Sequence, residues 1–321
     1  MRASADVESA LKAVKAEVGK SVVGYEEQVE DFMICLLTDG HLLIEGVPGV
    51  AKTTLSKAFA AVCSLSYKRI QFTQDLLPAD ITGHFFYNQR TSEFEVRKGP
   101  LFADLVLADE INRAPPKTQS ALLEAMQERQ VTIEGNTFEL PNPFTVIATL
   151  NPIETEGVYP LPEAQIDRFM IKSVMDYLGK EKEIDILKLK SSPEKDLEIV
   201  LSRDAILDMH HDIRYVHSHP SILDYIEEIA RATRAVDELD LGLSPRGAIH
   251  LLTTAKAHAY LHGRAYIIPD DVKDMAHKVM NHRLILSPEA ERGGLTRGGV
   301  TDTVLSSVPV PKGEFRSAEA R

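Results

Sequence analysis

Gly46-Val47-Pro48-Gly49-Val50-Ala51-Lys52-Thr53-Thr54 puts a lysine and two hydroxyl residues at the end of a loop with two further glycines. That combination can hold a polyphosphate. Backbone N–H groups of such a loop point at phosphate oxygens, Lys52 reaches the β- and γ-phosphates, and the Thr53 hydroxyl is a ligand for Mg²⁺. A helix-compatible stretch over 53–64 follows and adds the positive end of its dipole to the same anion. One position departs from the usual G-x-x-x-x-G-K-[ST] pattern. Ala51 precedes the lysine and adds a methyl where close backbone approach is wanted, so the loop alone is also compatible with a chance match.

Leu105-Val106-Leu107-Ala108-Asp109-Glu110 supplies the complementary chemistry. An apolar run ended by two carboxylates reads as a buried strand presenting charge at its carboxyl end. Asp109 would hold the water shell of Mg²⁺, and Glu110, facing the other way, would polarise the water that attacks a γ-phosphate. Either segment alone has an ordinary structural explanation. Together they read as a nucleotide site for ATP and Mg²⁺.

These residues need a parallel sheet to position them. Strand-like runs are expected over 42–45, 68–72, 105–108, 144–149 and 169–174, alternating with helices, preceded by helical patterns over 7–18 and 26–37. Two hairpins interrupt the alternation. One covers 81–96 with its turn near 88–92, and the other turns tightly around Gly135-Asn136. From Lys180 the pattern is helical to about Leu286. The expected division is an α/β nucleotide-binding domain over 1–178, a helical domain over 179–286, and a loosely ordered tail over 287–321 with at most one short helix.

The 321 residues are 44% hydrophobic and 26% charged, which suits a globular chain of one large or two ordinary domains. No apolar run reaches membrane-spanning length and the N-terminus lacks the apolar block of a signal peptide, so a cytoplasmic location with no membrane insertion is expected. A net charge of -12 argues against a broad nucleic-acid surface, although a ring can carry a basic pore inside an acidic exterior. Cys35 and Cys63 sit in apolar helical patterns and read as core residues. His210, His211, His217 and His219 lack an acidic or cysteine partner at metal-ligand spacing and read as solvated histidines near helix ends.

With these segments in hand, the chain resembles the MoxR family of AAA+ ATPases. The resemblance spans about 22–286 and rests on several stretches. They include residues 45–53, Phe72-Thr73-Gln74-Asp75-Leu76-Leu77-Pro78, Asp109-Glu110-Ile111-Asn112-Arg113-Ala114, Ala148-Thr149-Leu150-Asn151-Pro152, Tyr159-Pro160-Leu161-Pro162-Glu163 with Asp167-Arg168-Phe169, and Leu243-Ser244-Pro245-Arg246-Gly247. The Val-Ala-Lys-Thr form of the loop is usual in that family.

The resemblance implies an α/β AAA+ P-loop core with a five-stranded parallel sheet, a helix-2 insert, a pre-sensor hairpin and a small all-α lid. It implies that Asn151 is the sensor that orients the attacking water, that Arg168 is the arginine finger offered to a neighbour's γ-phosphate, and that Arg246 is the second sensor arginine, in cis or in trans. Val23 and Gly24 would contact adenine. Arg113 is read either as facing an interface or as paired locally, and Phe85, Phe86 and Tyr87 either as pore contacts or as packing. The implied work is ATP hydrolysis in a homo-oligomeric, hexameric ring that remodels or matures a protein client, with metal-cofactor insertion as one form. A von Willebrand factor A domain adaptor is the implied partner. The alternatives are a nucleic-acid motor, disfavoured by the acidic balance, and a nucleotide-gated binding module with little hydrolysis of its own.

Overall fold

The computed structural model describes residues 4–152, 157–193 and 195–316. Helix α1 (Ser4–Gly19) carries Val7, Leu11, Val14 and Val18 at helical spacing, and all four are buried. Helix α2 (Glu26–Leu37) opens on two glutamates that complement its dipole and leads into β1 (Leu42–Gly46). The chain continues through α3 (Lys52–Val62), β2 (Tyr67–Gln71), α4 (Pro78–Thr82), a hairpin of β3 (Gly83–Asn88) and β4 (Glu93–Lys98), and β5 (Leu105–Asp109). Then come α5 (Pro116–Glu128), a second hairpin of β6 (Gln130–Ile133) and β7 (Asn136–Glu139), β8 (Thr145–Leu150), α6 (Glu163–Ile166) and β9 (Ile171–Met175).

The main sheet has the order β2-β5-β8-β1-β9, and every pairing in it is parallel. Its strands read as apolar runs because both faces are covered. Leu42, Ile44, Leu105 and Leu107 face one core with Phe32 of α2 and Phe59 of α3, whose rings meet edge to face at 5.3 Å. Leu43, Val106 and Ala108 face the other core, under Leu122, Leu123 and Met126 of α5. The carboxyl ends of β1, β8 and β5 lie side by side, the usual place for a ligand on a parallel sheet.

The helical region follows as α7 (Lys180–Lys190), α8 (Arg203–Ile213), α9 (Pro220–Arg234), β10 (Leu239–Leu241), α10 (Pro245–Leu261), α11 (Pro269–Met280), β11 (Ile285–Leu286), α12 (Pro288–Arg292) and α13 (Arg297–Ser307). Its helix starts are written in the sequence. Ser202, Ser244, Ser287 and Thr296 accept the capping hydrogen bond through their side chains, and proline opens α9, α10, α11 and α12. β10 and β11 add a short antiparallel ladder that the helical pattern had hidden.

Two expectations need correction. The tight turn of the second hairpin is Glu134-Gly135, one residue earlier than expected, because both positions adopt positive φ (47° and 85°) and Ile133 pairs with Asn136. The expected loose tail holds two helices from 288 to 307. Val300, Val304 and Val308, four residues apart, bury against the core, and Thr301 donates to Asn281 at 2.8 Å, which outweighs Gly298-Gly299. Residues 317–321 of that tail lie outside the described residues. Cys35 and Cys63 are buried free thiols, as expected. No described helix is long and apolar enough to cross a membrane.

Candidate functional site

The loop after β1 needs glycine at its base. A Cβ on Gly46 would lie 2.4 Å from the Met175 carbonyl of β9, so the close pairing of β1 and β9 excludes any larger residue. Ala51 sits at φ 61°, in the left-handed region, immediately before α3 begins at Lys52. A β-carbon there costs about 1 kcal/mol, a strain the loop carries so that its backbone can turn into the helix. Gly49 is at φ 86° with open space where a Cβ would point, which leaves the mouth of the loop clear. Lys52 Nζ donates to Gly46 O at 2.6 Å and thus crosses the loop it belongs to. Thr53 and Thr54 occupy the first turn of α3, half-buried.

Beside the loop lies a cavity of about 330 Å³ lined by Val22, Val23, Tyr25, Val50, Ala51 and Leu178 among others. Its lining is mostly apolar and its size suits a planar base. Gly24, at φ 91°, would put a Cβ 2.6 Å from Leu178, so glycine lets the segment bearing Val23 close against the chain after β9.

At the end of β5, Asp109 is buried and both of its oxygens are engaged. Arg69 of β2 approaches Oδ2 through Nη2 (2.7 Å) and Nε (3.0 Å), and Thr149 of β8 donates to Oδ1 at 2.7 Å. Thr149 also accepts the Glu110 N–H at 2.8 Å, so one hydroxyl ties the ends of two strands together. Glu110 adopts φ 57° and turns its side chain across β2. There Oε2 accepts from Gln71 Nε2 at 2.7 Å and from Arg113 Nη1 at 3.0 Å. The local reading of Arg113 therefore holds. Asn151, one residue past β8, is buried at the same sheet edge. A hydroxyl at the start of α3 and a carboxylate at the end of β5 are oxygen donors of the kind that suits a hard cation retaining much of its water, such as Mg²⁺.

Arg168 and Arg246 are elsewhere. They line a separate cavity of about 210 Å³ together with Arg129, Gln127, Asp39 and His250, and no residue of 46–54 contributes to it. Arg168 reaches the Leu123 carbonyl at 3.2 Å and the Gln127 amide, while its Nε is buried without a hydrogen-bond partner among the described residues. Arg246 lies 3.3 Å from Asp167, which also receives Arg283 Nε at 2.7 Å. His250 is pushed down to about 4 by burial and by the Arg283 charge, so it adds a neutral ring to a wall of three arginines.

The remaining sequence candidates separate by exposure. Phe85 packs against the core, whereas Phe86 and Tyr87 are exposed at the hairpin, where Tyr87 meets Phe94 edge to face at 5.4 Å. His219 caps α9, His210 lies 3.4 Å from Asp39, and none of the four clustered histidines enters a metal-capable group among the described residues. Arg69, Gln71, Thr149, Arg129 and Arg283 were not singled out as functional by spacing. A weak signal existed only for Arg69 and Gln71, two polar residues on one face of a strand beside Asp109.

Compared with known proteins, residues 41–171 match the family model described as ATPase family associated with various cellular activities (AAA), and residues 231–303 match the AAA lid domain. The chain is 46% identical to the uncharacterized protein YeaC of Bacillus subtilis, over 94% of each. It is 41% identical to the chaperone MoxR1 of Mycobacterium tuberculosis, over 96% of this chain and 84% of that protein. The crystal structure of a candidate ATPase from Cytophaga hutchinsonii superposes with a TM-score of 0.90 at 43% identity, covering 96% of this chain and 97% of that one.

Proposed function

The chain belongs to the MoxR family of AAA-type ATPases, and from that premise we propose that it is a Mg²⁺-dependent ATP hydrolase whose active site is completed by a neighbouring copy. The observation that carries this reading is the separation of its parts. The phosphate loop and the apolar cavity share one site, while Arg168 and Arg246 share another that contains no loop residue. A ring of identical chains would bring the second site of one copy against the first site of the next, which makes Arg246 as well as Arg168 a contributor in trans.

In this reading Val23 and Gly24 help to seat adenine, and the backbone of Gly46, Val47, Pro48, Gly49, Val50 and Ala51 with Lys52, Thr53 and Thr54 holds the phosphates. Mg²⁺, held by Thr53 and through water by Asp109, would supply charge neutralisation at the phosphates. Glu110 accepts the proton of the attacking water, Asn151 orients that water, and the neighbour's arginines stabilise charge on the transferred group. The nucleotide-binding part ends near 178, and the helical part begins at 179 and extends past 286.

The work done with that hydrolysis is remodelling or maturation of a protein client by a hexameric ring, with a von Willebrand factor A domain protein as adaptor. The exposed Phe86, Tyr87 and Phe94 of the β3–β4 hairpin are the client-facing candidates. A second reading, a nucleotide-gated binder with little hydrolysis, draws support from Glu110 being engaged by Gln71 and Arg113. Phosphate release per chain, measured with Mg²⁺-ATP over a wide range of protein concentration, separates the two. A specific rate that climbs with concentration supports the completed ring, and a flat rate near zero supports the gated binder.

A further inference from the structure

Far from the phosphate loop, α2 and the helical region meet at a group of side chains that the nucleotide chemistry does not use. Glu30 of α2, His258 of α10 and His262 just past its end offer one ligand atom each, all within 4.8 Å of one another. The two histidines are four residues apart and their rings lie 4.2 Å centroid to centroid, on one helix face. Glu30 Oε1 is 3.7 Å from His258 Nε2 and 3.7 Å from His262 Nδ1, and Asp274 Oδ2 of α11 is 3.9 Å from His258 Nε2. The group opens onto a cavity of about 280 Å³.

Those separations are too long for hydrogen bonds and close to what a shared cation requires. Ligands about 2.1 Å from a tetrahedral zinc ion stand about 3.4 Å apart, so Glu30 with each histidine and His258 with Asp274 need to close by only a few tenths of an ångström. The outer contacts are also those of a ligand set. His258 Nδ1 donates to the buried Asp271 at 2.7 Å, and Asp271 is itself held by Arg264. That pairing fixes the ring and aims the Nε2 lone pair at Glu30 and Asp274, the carboxylate–histidine arrangement that orients metal ligands.

Lys15 holds Glu30 through the other oxygen, Oε2, while Oε1 faces the two histidines. Burial would raise the Glu30 carboxyl, but Lys15, with the two histidines, holds it below its usual value and keeps it ionised. Lys278, which also lines the cavity, is pinned by Asp31 at 2.7 Å and Glu27 at 2.8 Å. His262 Nδ1 donates to the His258 carbonyl at 2.9 Å, so ligation through that nitrogen requires the ring's other tautomer.

We propose that Glu30, His258, His262 and Asp274 form a binding site for a divalent transition cation of the zinc class, joining α2 to α10 and α11. Helix α2 lies more than two hundred residues before α10 and α11 in the sequence, so the ion would fasten the helical region to the nucleotide-binding part and couple its position to metal supply.

The test is titration of the tag-free full chain with Zn²⁺ alone, without nucleotide, followed by calorimetry, with thermal melting beside it. The expected result is one ion per chain, a melting temperature raised by roughly 5 °C at hundredfold excess over Kd, and affinity lowered by roughly a hundredfold in His262→Ala and Glu30→Gln. Co²⁺ in place of Zn²⁺ should give visible absorption bands that vanish in the same variants. His258→Ala can fail to fold because Asp271 loses its partner. His262→Ala and Glu30→Gln, checked by circular dichroism, therefore carry the test. Absence of stoichiometric binding, or binding unchanged in those two variants, overturns the proposal and leaves the group as a set of weak ion pairs.

Discussion

Arg283 of the helical region donates through Nε to Asp167 at 2.7 Å, one residue before Arg168, and the rest of its guanidinium grips the same segment. Nη2 reaches the Asp167 carbonyl at 3.1 Å and the Phe169 carbonyl at 2.6 Å, and Nη1 reaches the Met170 carbonyl at 3.3 Å. The side chain is 2% exposed. A change in the position of the helical region therefore moves Arg168 directly, without an intervening loop. Arg283→Met should lower stability by about 2 kcal/mol, because it leaves several carbonyls unpaired and the half-buried Asp167 with Arg246 as its ion-pair partner. As a positioning residue, Arg283 should affect kcat for ATP hydrolysis far more than KM. Equal losses in both, or none in kcat, would show that it only supports the fold. Arg283→Lys keeps the charge without the fork and should fall between.

The finger is tested by complementation. Arg168→Ala should bind ATP as the parent does and hydrolyse it at least about a thousandfold more slowly, given what such arginines contribute. Lys52→Ala should not bind nucleotide. Mixing the two inactive chains should restore part of the rate, since an intact loop can then meet an intact arginine. A mixture as inactive as its components would sink action across the interface. Arg246→Ala mixed with Lys52→Ala applies the same test to the second arginine, with which Arg168 shares a cavity.

Glu110 is both the candidate base and a restrained group. Glu110→Gln should retain ATP and trap the assembled state, and a variant that hydrolyses at the parent's rate would refute the base assignment. The bond from Gln71, 2.7 Å long, holds the carboxylate over β2. If that bond restrains the base, Gln71→Ala should raise the basal rate severalfold with ATP affinity unchanged. A rate that stays the same or falls would show that Gln71 orients the carboxylate productively.

How much of this was legible follows from where each partner lies in the chain. The loop, Lys52 and the Asp109-Glu110 pair could be read because their chemistry is contiguous, and the five sheet strands fall within about two residues of the expected positions because both-sided burial makes apolar runs. Arg69 and Gln71 acquire a role only from the register that sets Gln71 opposite Asp109, which no local pattern encodes. The Asp167 contacts to Arg246 and Arg283 join distant parts of the sequence, and the resemblance left open whether Arg246 serves the chain's own loop or a neighbour's. Gly298-Gly299 suggested a loose tail, yet the valine spacing in the same residues was enough to dock α13.

Acid sensitivity follows from His41, which is enclosed between β8 and α5. Its Nδ1 accepts the Val146 N–H at 3.0 Å and its Nε2 donates to the Met126 carbonyl at 3.0 Å, so the ring is neutral with one fixed tautomer. Burial, with the Arg129 charge, pushes it down from 6.5 to about 3. The unfolded chain therefore takes up a proton below pH 6.5 that the folded chain refuses until about 3. Stability should be constant above that window and fall within it by up to about 1.4 kcal/mol per pH unit. His250 and His282, also lowered by burial, add in the same direction. Asp31 works the other way, because burial raises it to about 6 in spite of Lys278, so its proton uptake on acidification favours the folded chain. The His41 share is isolated by difference. His41→Gln, with one donor and one acceptor but no titrating ring, should be less stable near neutral pH and should show a flatter decline in urea midpoint from about pH 7 to about pH 5. Parallel declines in parent and variant would mean that His41 does not set the acid limit of the fold.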